Sequence, residues 1–424
     1  MLCDERIQVN ENMKQKIDIL IVNSNELLTL AGSNKPKFGK ERSELGVIKN
    51  GAVAVKDGNI IDVGKTESLK KKFSAEEIID AKNKVVMPGF VDCHTHTIFA
   101  GSREDEFVLK LQGISYMEIL KKGGGILKTV RETRKANKKS LFYMTKKRLD
   151  KMLKNGTTTV EIKSGYGLTT KDEIKLLEVI KELNEKHKID IVTTFLGAHA
   201  IPLDITSDNY TKLVTNEMLP LVAKRKLAEF CDVFCEKDVF SVEQSRMILN
   251  KAKELGLKLK IHADEIIRTG GAELAAEVKA TSAEHLLKSS YDGIKSMFRS
   301  NVIAVLLPAT SFFLNAGYAN SKQMMEENVP IALATDFNPG CLCYSMQTII
   351  SLACTQMKML PSEAIVASTI NAAHAVSRAN EAGSIEVGKK ADIIIMDVHD
   401  YNLIPQHIGD GILESVIKGG KIIF

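Results

Sequence analysis

Two histidines separated by one residue, His94 and His96, form the most chemically loaded spacing in the chain. On an extended strand, residues i and i+2 point to the same side, so both imidazoles can reach one metal ion. They follow an apolar run and a turn-forming Pro88-Gly89, in PGFVDCHTH, which puts them at a strand end. Taken alone, the pair also reads as two solvated loop histidines. His262 closes the run LKLKIH, and Asp336 closes PIALATD. Singly, each has a plainer reading, a satisfied core histidine and a turn or cap aspartate. Together with His94 and His96 they make three imidazoles and one carboxylate, a donor set suited to zinc or iron. Four such ligands plus a water would suit a catalytic centre able to lower the water pKa toward about 7.

Other strand ends carry proton-transfer groups. His285 ends ATSAEH, and Glu265 lies three residues past His262. Either can move protons between water and a leaving group. Glu265 reads equally as a carboxylate at a helix N-terminus, where the helix dipole favours it. His199, in FLGAHAIP, can bind substrate or polarise a carbonyl, or be a buried turn residue. Arg103 stands out by scarcity, because only 11 of the 58 basic residues are arginine. Guanidinium grips a carboxylate through two parallel hydrogen bonds, which an ammonium cannot do. The competing reading pairs Arg103 with Glu104, Asp105 or Glu106. Tyr166, between glycines in KSGYGL, can donate to an anionic substrate.

These groups need elements that bring them together. From Met87 onward eight apolar runs recur: GFVD, TTTVEIK, IDIVTTFLGAH, EFCDVFCE, LKLKIH, ATSAEH, VIAVLLP and PIALATD. Helix-length amphipathic stretches such as KDEIKLLEVIKELNEKH, SVEQSRMILNKAKELG and SYDGIKSMFRS lie between them. Eight such units predict an α/β chain with a (β/α)8 TIM-like barrel. A doubly wound open sheet is the other arrangement, but no G-x-G-x-x-G follows the first run. Seven of the eight runs end in His, Lys, Glu or Asp, and only a barrel gathers strand ends at one mouth. Both chain ends read differently, as short β runs with turn signals at Asp57-Gly58-Asn59 and Gly419-Gly420. They predict a small β-sandwich domain of residues 1–86 and 382–424 around a catalytic barrel of residues 87–381.

Composition excludes several classes. The 424 residues are 44% hydrophobic and 26% charged, values of an ordinary globular protein and of neither a disordered chain nor a coiled coil. No apolar run approaches membrane-spanning length, and MLCDERIQVNENMKQK lacks the apolar centre of a secretory signal. A net charge of +5, with both signs interleaved, offers no basic stripe for nucleic acid. Lys121-Lys122, Lys138-Lys139 and Lys146-Lys147-Arg148 read as solvated helix faces. Seven cysteines without a paired CxxC argue against a disulfide framework or zinc ribbon, and favour a reducing cytoplasm.

Taken together, the motifs resemble the amidohydrolase superfamily, and within it the imidazolonepropionase family. PGFVDCHTH and GKKADIII carry only the superfamily. GSREDEF, LQGISYMEI, GGGI, EIKSGYGL, FLGAHAIP, DVFCE, IHADE, SAEHL and ATDFNPG carry the narrower likeness. The resemblance implies one Zn2+ or Fe3+ ion per subunit on His94, His96, His262 and Asp336. It implies Glu265 and His285 as the acid–base pair, and Arg103, Tyr166, His199, Asn338 and Gly340 as substrate-binding groups. The small hydroxylated residue that the family often has next is Cys341 here, a weaker donor at a substrate contact. The implied reaction is hydrolysis of 4-imidazolone-5-propanoate to N-formimino-L-glutamate in histidine degradation, by a cytoplasmic homodimer. One alternative is a two-metal cyclic amidase of the hydantoinase or dihydroorotase type, bridged by a carboxylated lysine from the fourth strand. Here that run ends Cys235-Glu236, with Lys237 one step beyond on the opposite side. The other alternative is a metal-free binding protein that kept the barrel, against which the full set of ligands and acid–base groups stands.

Overall fold

Alternating apolar residues and tight turns build the N-terminal strands β1 (Gln15–Ser24), β2 (Glu26–Leu28), β3 (Val47–Ile48), β4 (Gly51–Lys56), β5 (Asn59–Lys65), β6 (Phe73–Asp80) and β7 (Val85–Pro88). The structure, a computed structural model, describes residues 14–32, 34–114, 118–119, 123–409 and 411–424. Cys3, Lys121-Lys122 and the middle of LQGISYMEI lie outside these residues. The β4–β5 hairpin turns at Asp57-Gly58, with φ of 49° and 77°, the two positive values that let a two-residue turn follow the strand twist.

The barrel follows, as β8 (Phe90–Asp92), β9 (Thr157–Lys163), β10 (Asp190–Ala198), β11 (Phe230–Cys235), β12 (Lys258–Ala263), β13 (Ser282–His285), β14 (Ile303–Leu306) and β15 (Ile331–Leu333). All eight are parallel neighbours in chain order. Each falls within, or a residue past, one of the eight apolar runs. Beyond Leu333 the chain closes the ring, with Asp336 N donating to His94 O at 3.1 Å and His96 N to Phe337 O at 2.8 Å. The intervening helices bury one stripe each: Leu176, Leu177, Val179, Ile180 and Leu183 in Thr170–Lys186, for example. Their starts follow local chemistry. Thr169 and Ser290 cap the helices after them, and Ser241 with Gln244 forms a reciprocal capping box.

Strands β16 (Ile393–Met396), β17 (Leu413–Lys418) and β18 (Lys421–Ile422) complete the chain. They join β7, β2 and β3 in a six-stranded sheet, while β5-β4-β1-β6 forms a four-stranded one. Ile19, Ile21, Val53 and Val55 of the smaller sheet pack with Leu27, Val86, Ile393, Ile395 and Ile417 of the larger. The result is a β-sandwich drawn from both chain ends. No helix of the described residues is long and apolar enough to cross a membrane.

One expected surface group is placed otherwise. Lys138, Lys139 and Lys147 are exposed, but Arg148 turns inward. Its Nη1 donates to Thr97 O and Phe99 O, both at 2.8 Å, and the guanidinium lies 3.6 Å from the Phe99 ring centroid. Arg148 therefore braces the loop after β8, satisfying carbonyls that would otherwise be buried without donors. The six described cysteines are free thiols.

Candidate active site

His94, His96, His262 and Asp336 arrive at one point from β8 and its extension, β12, and the turn after β15. His94 Nε2 and His96 Nε2 are 3.3 Å apart, and each is 3.4 Å from Asp336 Oδ1. His262 offers a ring nitrogen to the same group, within 4.8 Å of the nitrogens of His94 and His96. All four side chains are buried. Ligand atoms about 2.0–2.1 Å from a common ion at near-tetrahedral angles would lie about 3.3–3.4 Å from one another. The observed separations match that spacing. His262 Nε2 is buried with no hydrogen-bond partner among the described residues, the state expected of a nitrogen set to bind an ion. The residues therefore fit a metal.

Electrostatics agree with that role for Asp336 and His96. Burial alone would raise the Asp336 carboxyl, but contact with His94 and a hydrogen bond from Thr310 Oγ1 at 2.6 Å hold it far below the usual range. Burial, with His199, His94 and His262 beside it, keeps His96 neutral. Asp336 (φ 48°) and His285 (φ 69°) both occupy the left-handed region, which costs non-glycine residues free energy and clusters at functional sites.

Glu265 and His285 face each other beside this cluster, with Oε2 and Nε2 3.6 Å apart. Burial, then the nearby carboxylates of Asp336 and Glu236, push Glu265 up to about 8. Burial, with His262 and His94 adjacent, pushes His285 down to about 3 against the pull of Asp336. A carboxylic acid and a neutral imidazole thus stand side by side at neutral pH. The Glu265 loop is shaped from below. Asp264 accepts backbone N–H bonds from Thr269, Gly270, Gly271 and Ala272, and Glu236 Oε2 accepts from Ile266 N at 2.8 Å.

The remaining expected residues line the same mouth. The rings of His199 and His96 stack with centroids 4.8 Å apart, and Tyr166 lies 5.2 Å from His199. Burial and His262 push His199 down to about 3, so it too is neutral. Asn338 Oδ1 accepts from Gly340 N at 2.7 Å, and Cys341 N donates to Asn338 O at 3.0 Å, which closes a turn against Asp336. Burial pushes the Cys341 thiol up, so it stays protonated. Arg103 Nε donates to Thr129 Oγ1 at 2.9 Å, while Nη2 is buried without a partner among the described residues. The acidic neighbours are otherwise engaged. Asp105 pairs with Lys128 at 2.5 Å, and Glu106 accepts from Gly125 N at 2.8 Å. A methyl group at Gly340 would come within 4.0 Å of Arg103 Nη1, so the two positions adjoin.

Sequence reasoning missed a layer beneath the His94–His96–His262–Asp336 cluster: Glu161, Asp232, Lys260 and Glu284, with Lys163 noted only as a strand end. All are fully buried. Glu284 Oε2 lies 2.5 Å from His94 Nδ1, and Asp232 Oδ2 lies 2.9 Å from His262 Nδ1. A signal was available, because Glu161 and Lys163, and likewise Lys260 and His262, share a strand face. Thr310, which holds Asp336, had none. Lys237 is exposed, so the fourth barrel strand presents no lysine to this cluster.

The amidohydrolase family model matches residues 85–423. The imidazolonepropionases of Alkaliphilus metalliredigens and Alkaliphilus oremlandii are each 50% identical to the chain, over 96% of it and 98% of their own length. That of Clostridium tetani is 49% identical over 97% of the chain and 99% of its own length. Among solved structures, an adenosine deaminase from Xanthomonas campestris with bound zinc is similar with a TM-score of 0.74 at 18% identity, covering 97% of this chain and 93% of that one. The guanine deaminase of E. coli also gives 0.74, at 15% identity, over 96% and 98% of the two chains. These two share the fold.

Proposed function

The chain belongs to the amidohydrolase family, and from that premise we infer an imidazolonepropionase activity: hydrolysis of 4-imidazolone-5-propanoate to N-formimino-L-glutamate. The observation that carries the substrate is the likeness to curated imidazolonepropionases at about half identity along nearly the whole chain. The site geometry supports it. His94, His96, His262 and Asp336 would hold one ion, zinc or iron by the chemistry of the donors. Such an ion supplies Lewis acidity toward a carbonyl oxygen and acidifies a water beside it.

The chain's own residues account for the other requirements. Glu265, held near a pKa of about 8, keeps a proton at neutral pH and can release it to the ring nitrogen that departs. It regains a proton from the attacking water. Neutral His285 donates a hydrogen bond to the ring oxygen as negative charge builds there. Arg103, with a buried N–H that has no partner among the described residues, reads the propionate carboxylate. Tyr166, His199 and the Asn338–Cys341 turn frame the ring. Cytoplasmic location, a homodimer, and the absence of nucleic-acid or membrane partners complete the proposal, with light scattering as the test of assembly.

Incubation of the purified protein with freshly made 4-imidazolone-5-propanoate should yield N-formimino-L-glutamate by mass spectrometry. Glu265→Gln should retain metal yet lose about 10²–10⁴-fold in kcat, because an isosteric amide cannot shuttle the proton. No product from the wild-type protein would reject the substrate, and a loss under about threefold in the variant would reject Glu265 as the proton carrier.

A further inference from the structure

Interiors of (β/α)8 barrels are ordinarily filled by bulky branched apolar side chains. Here the layer beneath the ligands is ionic. Lys163 Nζ lies 2.9 Å from Glu161, 2.8 Å from Asp232 and 2.9 Å from Glu284. Lys260 Nζ lies 3.1 Å from both Glu161 and Glu284, and donates to Cys93 O at 3.0 Å. Removing these charges from water is expensive, and a well-packed apolar layer of the same volume would be at least as stable. Stability therefore does not account for the network.

What the network touches is the ligand set. Glu284 meets His94 Nδ1, and Asp232 meets His262 Nδ1. A carboxylate at Nδ1 favours the tautomer with its proton there and leaves Nε2 as the electron-pair donor toward an ion. Both contacts are close, though neither is a linear hydrogen bond, so the carboxylates must be held from another side to keep their place. Lys163 does this, as the ammonium in contact with both Asp232 and Glu284. Three carboxylates face two ammoniums, which leaves a negative charge beneath the ligands and favours a cation above them.

We propose that Lys163 is a positioning residue for metal binding, pinning Asp232 and Glu284 and through them the rings of His262 and His94. This rests on the reading of His94 and His262 as ligands. Lys163→Met alone leaves an uncompensated buried carboxylate and can fail to fold. The decisive variant is Glu161→Gln/Lys163→Met, which keeps the layer's net charge. Zinc affinity would be measured on the metal-free full chain by competition with a chromophoric chelator, beside the melting temperature of the same metal-free protein. The double variant should melt near the wild type yet bind zinc about 10–100-fold more weakly. Zinc affinity within threefold of the wild type would overturn the proposal. Failure of the charge-balanced variant to fold would overturn it too, by making Lys163 a core structural group first. Wild-type protein that binds no zinc, iron or other divalent ion would instead refute the ligand reading itself.

Discussion

Arg103 reaches the barrel mouth with Nε bound to Thr129 and Nη2 buried without a partner among the described residues. A buried unpaired donor is costly unless something else completes it, and a substrate carboxylate is the group of matching charge and shape. Arg103→Lys should therefore lower kcat/KM by about tenfold to over a hundredfold, since the ammonium forfeits a charge-assisted hydrogen bond worth roughly 1.5–3 kcal/mol. Arg103→Met should lose more. A substrate analogue without the carboxylate should be turned over poorly by the wild type and no worse by Arg103→Met, which makes the comparison a double-mutant cycle. Equal damage with both substrates would make Arg103 a structural group. At this scale the sequence singled out Arg103 because the chain spends few arginines. Scarcity could not, however, separate a substrate contact from pairing with Glu104, Asp105 or Glu106. Only the folded chain shows Asp105 on Lys128 and Glu106 on the Gly125 backbone.

Among the elements, the loop between β9 and the helix Thr170–Lys186 governs Tyr166. Glu173, buried on the helix's first turn, accepts N–H bonds from Gly165 at 3.0 Å, Gly167 at 2.7 Å and Leu168 at 2.9 Å. A Cβ at Gly167 would sit 2.5 Å from Glu173 N, so only glycine allows the loop this close to the helix. Glu173→Gln turns one acceptor into a donor and strands a backbone N–H, worth roughly 1–3 kcal/mol. The variant should melt a few degrees lower and show a severalfold higher KM, with bound metal unchanged. An unchanged KM would separate the loop from substrate binding. The barrel strands themselves were legible because all but one of their apolar runs end in a polar residue. The charged layer was not, because Glu161, Asp232, Lys260 and Glu284 look like ordinary polar breaks until four strands superimpose them.

Across the whole molecule, the barrel and the sandwich built from both ends followed from the count and texture of the runs. Their joints did not. The ring closes where Thr95 bridges Phe337, and Lys418 ties the sandwich to the barrel through Asp190 at 2.8 Å. Partners hundreds of residues apart leave no local trace in one sequence. The same long-range convergence defines the central claim, that four residues from across the barrel hold one catalytic ion. The direct measurement is titration of zinc into metal-free enzyme, with turnover of 4-imidazolone-5-propanoate read at each addition. Activity absent from the metal-free protein, rising linearly and breaking at one equivalent per chain, is the predicted result, with His94→Ala and Asp336→Ala showing no such rise. A break at two equivalents, or full activity without metal, would contradict it.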